Sequence, residues 1–139
     1  MRRTGFTPAQ RSTQMTRKAK APKRPRTDPA EAPARKVVRA RSEGLCECCG
    51  GHRAESMHHR RKPGRVWTPE NLLHVCGDGV RLCHGWIEAN PLKAQGQGWW
   101  VPSHKDPAKT PCWLAGRGYV FLNVDGSVEE APEEEDIAS

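Results

Sequence analysis

Apolar residues are spread unevenly along the chain and predict only short elements. Residues 1–34 are rich in Pro, Thr, Ala and basic side chains and nearly free of aliphatic ones. Such a segment cannot bury enough apolar surface to offset its ordering entropy, so we expect a disordered basic arm there. The stretch ARKVVRARSE at 34–43 places Val37 and Val38 on one face of a short helix, which Gly44 would end.

Further along the chain, several stretches predict regular structure. Residues 53–60 are expected to form one strand of a hairpin, which the KPG sequence at 62–64 would end. LCHGWIEANP predicts a helix of about two to three turns that begins at Cys83 and ends at Asn90-Pro91. GWWV and GYVFLNVDG are predicted as strands, with Gly116 and Gly118 in a turn. We expect the nearby aromatic residues to form a small satellite core, with stacking on nucleic-acid bases as the alternative: Trp99, Trp100, Trp113, Tyr119 and Phe121.

The composition limits what such a chain can build. It has 139 residues, 35% of them hydrophobic, with a mean hydropathy of -0.82, and so small and polar a chain usually needs a disulfide or metal staple. The sequence has no apolar run of about 18 residues, and its N-terminus lacks the apolar stretch of a secretory signal. We therefore expect a cytoplasmic protein, in which clustered cysteines bind metal rather than pair.

Charge is concentrated at the two ends. Residues 1–41 carry thirteen Lys or Arg and two acids, whereas the remainder carries ten Lys or Arg and fourteen acids. Six of those acids lie in EEAPEEED, within an acidic tail that we expect to be disordered over 129–139. The basic arm either attracts nucleic-acid phosphates or only keeps the chain soluble.

Two cysteine pairs indicate a structural zinc site. Cys46 and Cys49 have the C-x2-C spacing of a zinc knuckle and are followed by two glycines. A C-x6-C pair lies 27 residues downstream. Cys48 and His52 are alternative ligands, and four buried free cysteines are the alternative to a metal. The predicted site is closed by four thiolates: Cys46, Cys49, Cys76 and Cys83.

A second metal site is expected beside the first. On the predicted helix, His84 lies about 100° from Cys83, and Glu88, four residues on, shares the face of His84. The zinc would tie this helix to the hairpin that carries His58 and His59. An ion held at this second site would have open coordination positions that could bind a phosphate. Both adjacent histidines can serve one site only if the strand ends or bends, since strand neighbours face opposite sides.

The order of these motifs, HH at 58–59, Asn71 in PENLL and CH at 83–84, resembles that of the HNH endonucleases of the ββα-metal fold. The stretch LLHVCGDGVRLCHGWIEANP is similar to small bacteriophage HNH proteins with a four-cysteine zinc knuckle. The resemblance covers about residues 35–101.

The resemblance implies a role for each matching residue. His58 matches the first ligand of a single catalytic metal, His59 the general base and His84 the second ligand. Asn71 matches the residue that holds the loop and orients the base. Relatives often have His where this chain has Glu88, and a carboxylate ligand shifts preference toward Mg²⁺ or Mn²⁺. The implied reaction is hydrolysis of a DNA phosphodiester with Mg²⁺, Mn²⁺, Ni²⁺ or Zn²⁺, leaving a 5′-phosphate and a 3′-hydroxyl.

The resemblance also implies the architecture, the partners and the setting. We expect a small α+β fold with a ββα-metal (HNH) core stapled by the zinc, as a nuclease domain at 35–95 and a β-rich extension at 96–128. DNA is the expected partner, with phage terminase or packaging proteins beside it in the host cytoplasm, and no membrane. The alternative is a non-catalytic zinc-knuckle DNA-binding protein. The expected backbone contacts come from four basic residues: Arg60, Arg61, Lys62 and Arg65.

Overall fold

The computed structural model describes residues 28–132. The predicted basic arm up to residue 27, and the predicted tail from residue 133, lie outside this range. The described part is a small α+β structure with three α-helices and two small antiparallel sheets, which confirms the predicted class.

The first helix, α1, spans Glu31–Ser42. It begins three residues earlier than predicted, inside the expected disordered arm, because Pro33 falls in the first turn, where a missing N–H costs nothing. Ala34 and Val38, four residues apart, are its buried side chains and pack beside Leu72. The helix ends where Glu43 adopts a left-handed conformation with a φ of 54°.

The first sheet is a pair of short strands that carries the adjacent histidines. Strand β1, Ser56–His59, pairs antiparallel with β2, Leu72–Val75, so that His58 lies opposite Leu73 and His59 opposite Leu72. The predicted strand at 53–60 is therefore confirmed in a shorter form. Its loop to β2 ends in a 3₁₀ turn at Pro69–Asn71.

Two consecutive helices follow the first sheet. Helix α2 spans Leu82–Ala89, close to the predicted helix. Helix α3, Pro91–Gly96, was not predicted, because Pro91 ends one helix but also fits the first position of the next. The GWWV prediction is wrong. This stretch turns back onto α3, with the Trp99 amide donating to the Ala94 carbonyl at 3.0 Å.

The second sheet contains three strands in the order β3-β4-β5. They span Cys112–Leu114, Gly118–Leu122 and Val128–Glu130. The predicted turn between the first two is confirmed, with Leu114 paired to Gly118. Strand β5 includes positions 129 and 130, so the prediction of disorder from residue 129 is wrong at these two positions.

A single main core joins the two sheets. It contains Leu73 and Ile87 from the first part of the chain together with Val120 and Leu122 from the second sheet. The predicted satellite core is wrong, because side chains alternate along β3 and β4 and Trp113 points outward. The predicted units at 35–95 and 96–128 thus share their apolar interior. No helix within residues 28–132 is long and apolar enough to cross a membrane.

Candidate metal sites

The predicted four-cysteine cluster is present. The Sγ atoms of its members lie within 4.8 Å of one another. The Cys49 and Cys76 sulfurs are 3.9 Å apart, close to the separation of about 3.8 Å expected between thiolates bound tetrahedrally to zinc at about 2.3 Å. The cluster could therefore hold a metal ion such as zinc. Its members are Cys46, Cys49, Cys76 and Cys83.

Tight backbone turns bring these sulfurs together. The Gly50 amide donates to the Cys46 carbonyl at 2.9 Å, which closes the knuckle between the first two cysteines. At the second pair, the His84 amide donates to the Cys76 carbonyl at 3.1 Å, joining the first turn of α2 to the end of β2. Gly77 has a φ of +80° and lies against the Arg81 carbonyl, where a Cβ would stand 2.1 Å away.

One thiol of the cluster has a lowered pKa. A hydrogen bond from the Cys48 thiol, helped by backbone amides, lowers the pKa of Cys46 to about 3. Burial raises the pKa of Cys83 and of Cys76, so a bound cation has to ionise those thiols. Cys48 lies outside the four-cysteine group, and His52 is exposed and also outside it.

His58, His84 and Glu88 form a second group, with one ligand atom from each within 4.8 Å of the others. His58 Nδ1 and His84 Nε2 each lie 3.6 Å from Glu88 Oε1. Two ligands at about 2.1 Å from one ion are roughly 3.0–3.4 Å apart, so small side-chain shifts would let all three bind one cation.

Hydrogen bonds fix the proton positions on both imidazoles. His58 Nε2 lies 2.7 Å from the Trp99 carbonyl, which can only accept, so Nε2 carries the proton. Its Nδ1 is buried, has no hydrogen-bond partner among the described residues and faces Glu88. Burial lowers the pKa of His58 to about 3, which keeps the ring neutral, as a metal ligand must be.

A serine sets the tautomer of His84. The Ser56 hydroxyl donates to the Gly77 carbonyl at 2.7 Å, so its oxygen accepts from His84 Nδ1, also at 2.7 Å. The lone pair of His84 Nε2 is thereby left facing Glu88. Sequence reasoning missed Ser56, although it lies two residues before His58 on β1 and that spacing puts both on one face.

Lys62 supplies a positive charge at this site. Its ammonium contacts the Glu88 carboxylate and lies 5.3 Å from the ring centroid of Trp100. Burial acts to raise the pKa of Glu88, but the hydrogen bond and charge of Lys62 hold it below its ordinary value. Glu88 is therefore an ionised carboxylate whose charge a lysine balances.

His59 faces away from this group. Its ring packs edge-on against Trp67, with centroids 4.5 Å apart, and the Arg35 guanidinium lies 4.7 Å from the same Trp67 ring. Burial lowers the pKa of His59 to about 4. The pairing of β1 is regular through His59, so adjacent side chains point to opposite faces. The base role of His59 stays a prediction.

Asn71 holds the loop that follows β1. Its Oδ1 accepts from the Arg61 amide at 2.9 Å, and its Nδ2 donates to the Val66 carbonyl at 3.0 Å. The loop-holding contact expected of this residue is thus observed. Its amide contacts backbone groups rather than the ring of His59. It is the last residue of the 3₁₀ turn at Pro69–Asn71.

Arg60 does not face solvent, so its predicted DNA contact is wrong. The side chain is buried and its guanidinium donates to four backbone carbonyls, which leaves it unable to reach a phosphate. Lys62 is paired with Glu88, whereas Arg65 is exposed and Arg61 is half-buried, and DNA contacts by these three stay predictions. The four acceptors, at 2.7–3.0 Å, are the carbonyls of Gly98, Glu70, Pro107 and Thr110.

Comparison of the chain with protein-family models, with curated proteins and with solved structures found no match.

Proposed function

We propose that this chain is a metal-dependent DNA endonuclease of the HNH kind, with a structural zinc and one catalytic divalent ion. The observation that carries the proposal is the second ligand group. Two neutral imidazoles present their lone pairs to one carboxylate, 3.6 Å from each, in a site separate from the four thiols. A protein that only binds DNA has no need of such a group.

The order of the elements also supports the proposal. Strands β1 and β2 are antiparallel and are followed by α2. His58 comes from the first strand, whereas His84 and Glu88 come from the helix. Strand, strand and helix with ligands on the first and last is the arrangement that the HNH resemblance implies for a ββα-metal core.

In the proposed site, three side chains bind the ion and two further groups orient the imidazoles. His58, His84 and Glu88 would hold the ion, with the Trp99 carbonyl and Ser56 keeping the imidazole protons away from it. The ion would supply Lewis-acid stabilisation of the phosphate and of the leaving oxygen. Three protein ligands leave open positions for substrate, unlike a site closed by four thiolates.

Lys62 and His59 complete the proposed site. The Lys62 ammonium, now on Glu88, is close enough to the ligands to attract a phosphate oxygen. His59 is the candidate acceptor of a proton from the attacking water, and its lowered pKa keeps the ring neutral at pH 7. For this role β1 must bend at His59, because its ring now packs against Trp67 on the face opposite His58.

Plasmid relaxation tests the proposal. Wild type, His84→Ala and His59→Ala are incubated with supercoiled DNA and Mg²⁺, Mn²⁺, Ni²⁺ or Zn²⁺. We expect wild type to cleave and His59→Ala to lose at least about 100-fold in rate, the usual contribution of a catalytic acid or base. His84→Ala should lose at least as much, because the ion loses one of its three protein ligands. Zinc content, measured on the samples with Mg²⁺, should stay at the wild-type level because neither residue belongs to the four-cysteine group.

His104→Ala is the matched control, since this histidine is exposed and lies outside both ligand groups. It should cleave within about twofold of wild type, as expected for a surface substitution. Full cleavage by His84→Ala would contradict the proposed catalytic metal. Intact plasmid with wild type under all four metals would favour the non-catalytic zinc-knuckle DNA-binding alternative.

A further inference from the structure

Aromatic side chains cover the outer face of the second sheet. Trp113 on β3 and Tyr119 on β4 are cross-strand partners with ring centroids 5.3 Å apart. They are 40% and 43% exposed, while Leu114 and Val120 on the other face are buried in the core. The outer face of such a sheet is normally polar, so exposed aromatic residues at paired positions indicate a ligand surface.

These two rings line a cavity of about 730 Å³. Lys105 and Arg117 line the same cavity, and neither side chain forms an ion pair within residues 28–132. Glu130 is the one carboxylate among the described lining residues, so the lining has an excess of positive charge. The Tyr119 hydroxyl donates to the Gly96 carbonyl at 2.9 Å, which fixes that ring in place.

The cavity is close to the second metal site. Gly96 lines the cavity, and Trp99, three residues on, contributes the carbonyl that accepts from His58. Three residues span at most roughly 11 Å between Cα atoms. The connection is also braced, because the Trp113 amide donates to the Gln97 carbonyl at 2.7 Å and the Trp99 indole donates to the Trp113 carbonyl at 2.8 Å.

We propose that this cavity binds an unpaired stretch of DNA next to the bond to be cut. Bases stack on Trp113 and Tyr119, and Lys105 and Arg117 contact the phosphates. This combination of aromatic faces with cations is how proteins hold single strands without sequence preference. Binding of the unpaired strand does not depend on the proposed nuclease function. Its link to cleavage rests on the proposed function and names the substrate class, which is DNA with a single-stranded segment beside the cut.

The chemistry of the lining favours a nucleic acid over a peptide. An apolar or proline-rich peptide would use the aromatic rings but would leave the charges of Lys105 and Arg117 without a partner. A DNA strand uses both features, because each nucleotide presents a flat apolar face and an anionic phosphate.

The test is the affinity of the full chain for a phosphorothioate-linked oligothymidylate of about twelve nucleotides, measured by fluorescence anisotropy. Trp113→Ala should weaken binding at least about fivefold, the lower end of the effect of removing one base-stacking ring. Arg117→Gln should weaken it less and should reduce the slope of log affinity against log salt by about 0.7, the contribution of one phosphate contact to a single strand. Circular dichroism and zinc content check that both variants are folded.

Lys36→Gln is the matched control for charge, since Lys36 is exposed on α1 and does not line the cavity. It should change neither the affinity nor the slope by as much as Arg117→Gln. Wild-type affinity for the oligothymidylate in a folded Trp113→Ala protein would overturn the proposal. It would favour a peptide as the ligand of the cavity. Cleavage of plasmid by wild type, measured separately, reports on the nuclease function, so either idea can fail while the other stands.

Discussion

Buried arginines connect the loops of this molecule through backbone carbonyls. Arg41 pairs with Glu47 at 2.7 Å and also donates to the Pro69 and Leu72 carbonyls at 2.9 and 2.7 Å. Within residues 28–132, the Arg60 side chain donates to backbone carbonyls alone. Glu70 precedes α2 in the chain, and Gly98 and Pro107 follow α3. A guanidinium offers five donors in one plane, so one side chain satisfies several loop carbonyls that a small apolar core cannot cover.

The role of Arg60 can be tested with Arg60→Lys. An ammonium is a point donor and cannot reach four carbonyls in different directions, so buried carbonyls are left without partners. We expect the free energy of unfolding of the zinc-loaded protein to fall by roughly 2–4 kcal/mol, measured by urea denaturation. Arg61→Lys is the control, because Arg61 has a single side-chain contact at 3.3 Å and should change stability by no more than about 0.5 kcal/mol. Equal stabilities of the two variants would contradict this structural role.

The directions of the side chains in the basic run HHRRK at 58–62 follow from the sequence, but their burial does not. Strand alternation correctly implies that His58 and Arg60 share one face and His59 the other. The sequence alone does not reveal that both faces are covered, with Met57, His58 and His59 all buried on β1. From the sequence alone, the charged Arg60 is expected to face solvent. Its buried hydrogen-bond partners are carbonyls of loops that are distant in the chain.

Helix α2 serves both ligand groups with eight residues. Cys83 points to the other thiols, whereas His84 and Glu88, about 40° apart around the helix axis, face His58. The helix must therefore lie close to the loop after Cys76. Gly85 permits this approach, because a Cβ at its position would lie 2.4 Å from the backbone carbon of Val80.

Gly85→Ala tests this close packing. Helix propensity alone would favour alanine by about 1 kcal/mol. The contact with the Val80 backbone cannot be relieved by a side-chain rotation, so we expect a net loss of roughly 1–3 kcal/mol in stability and weaker zinc binding, measured by urea denaturation and by competition with a zinc indicator.

Gly79→Ala is the matched control for the alanine substitution. No atom lies within 4 Å of a Cβ built at this position, so its stability and zinc affinity should match those of wild type. Stabilisation by Gly85→Ala would show that helix propensity, rather than contact with the loop, determines the effect.

Elements marked by local signals were predictable, and those set by distant contacts were not. Helix α2 follows from its apolar spacing and from the proline after it, and β4 follows from a run of apolar and aromatic residues between turn signals. The GWWV stretch has the same strand-like composition, but the Val101 amide donates to the Arg60 carbonyl and the Trp113 amide to the Gln97 carbonyl. These long-range bonds hold the stretch in a turn.

At the scale of the whole molecule, the four-cysteine knuckle and the second sheet form one structure. Cys46 and Cys76 belong to the same buried cluster as Leu114 and Val120. The Ala115 amide also donates to the Glu47 carbonyl at 2.9 Å, which joins the turn after β3 to the knuckle. The predicted boundary near residue 96 separates two stretches of the sequence, whereas packing across that point is a tertiary property that the sequence does not reveal.

Removal of zinc should therefore unfold both parts together. A structural zinc contributes on the order of 10 kcal/mol to folding, more than a core of this size supplies alone. As a strong chelator is added, zinc release and loss of hydrogen-exchange protection of the β4 backbone amides should coincide. Cys46→Ser should lack both from the start, whereas Cys112→Ala, which removes a buried thiol outside the ligand group, should keep its zinc. If the β4 amides stay protected after the zinc has left, residues 96–128 fold as a separate unit and the shared core is not cooperative.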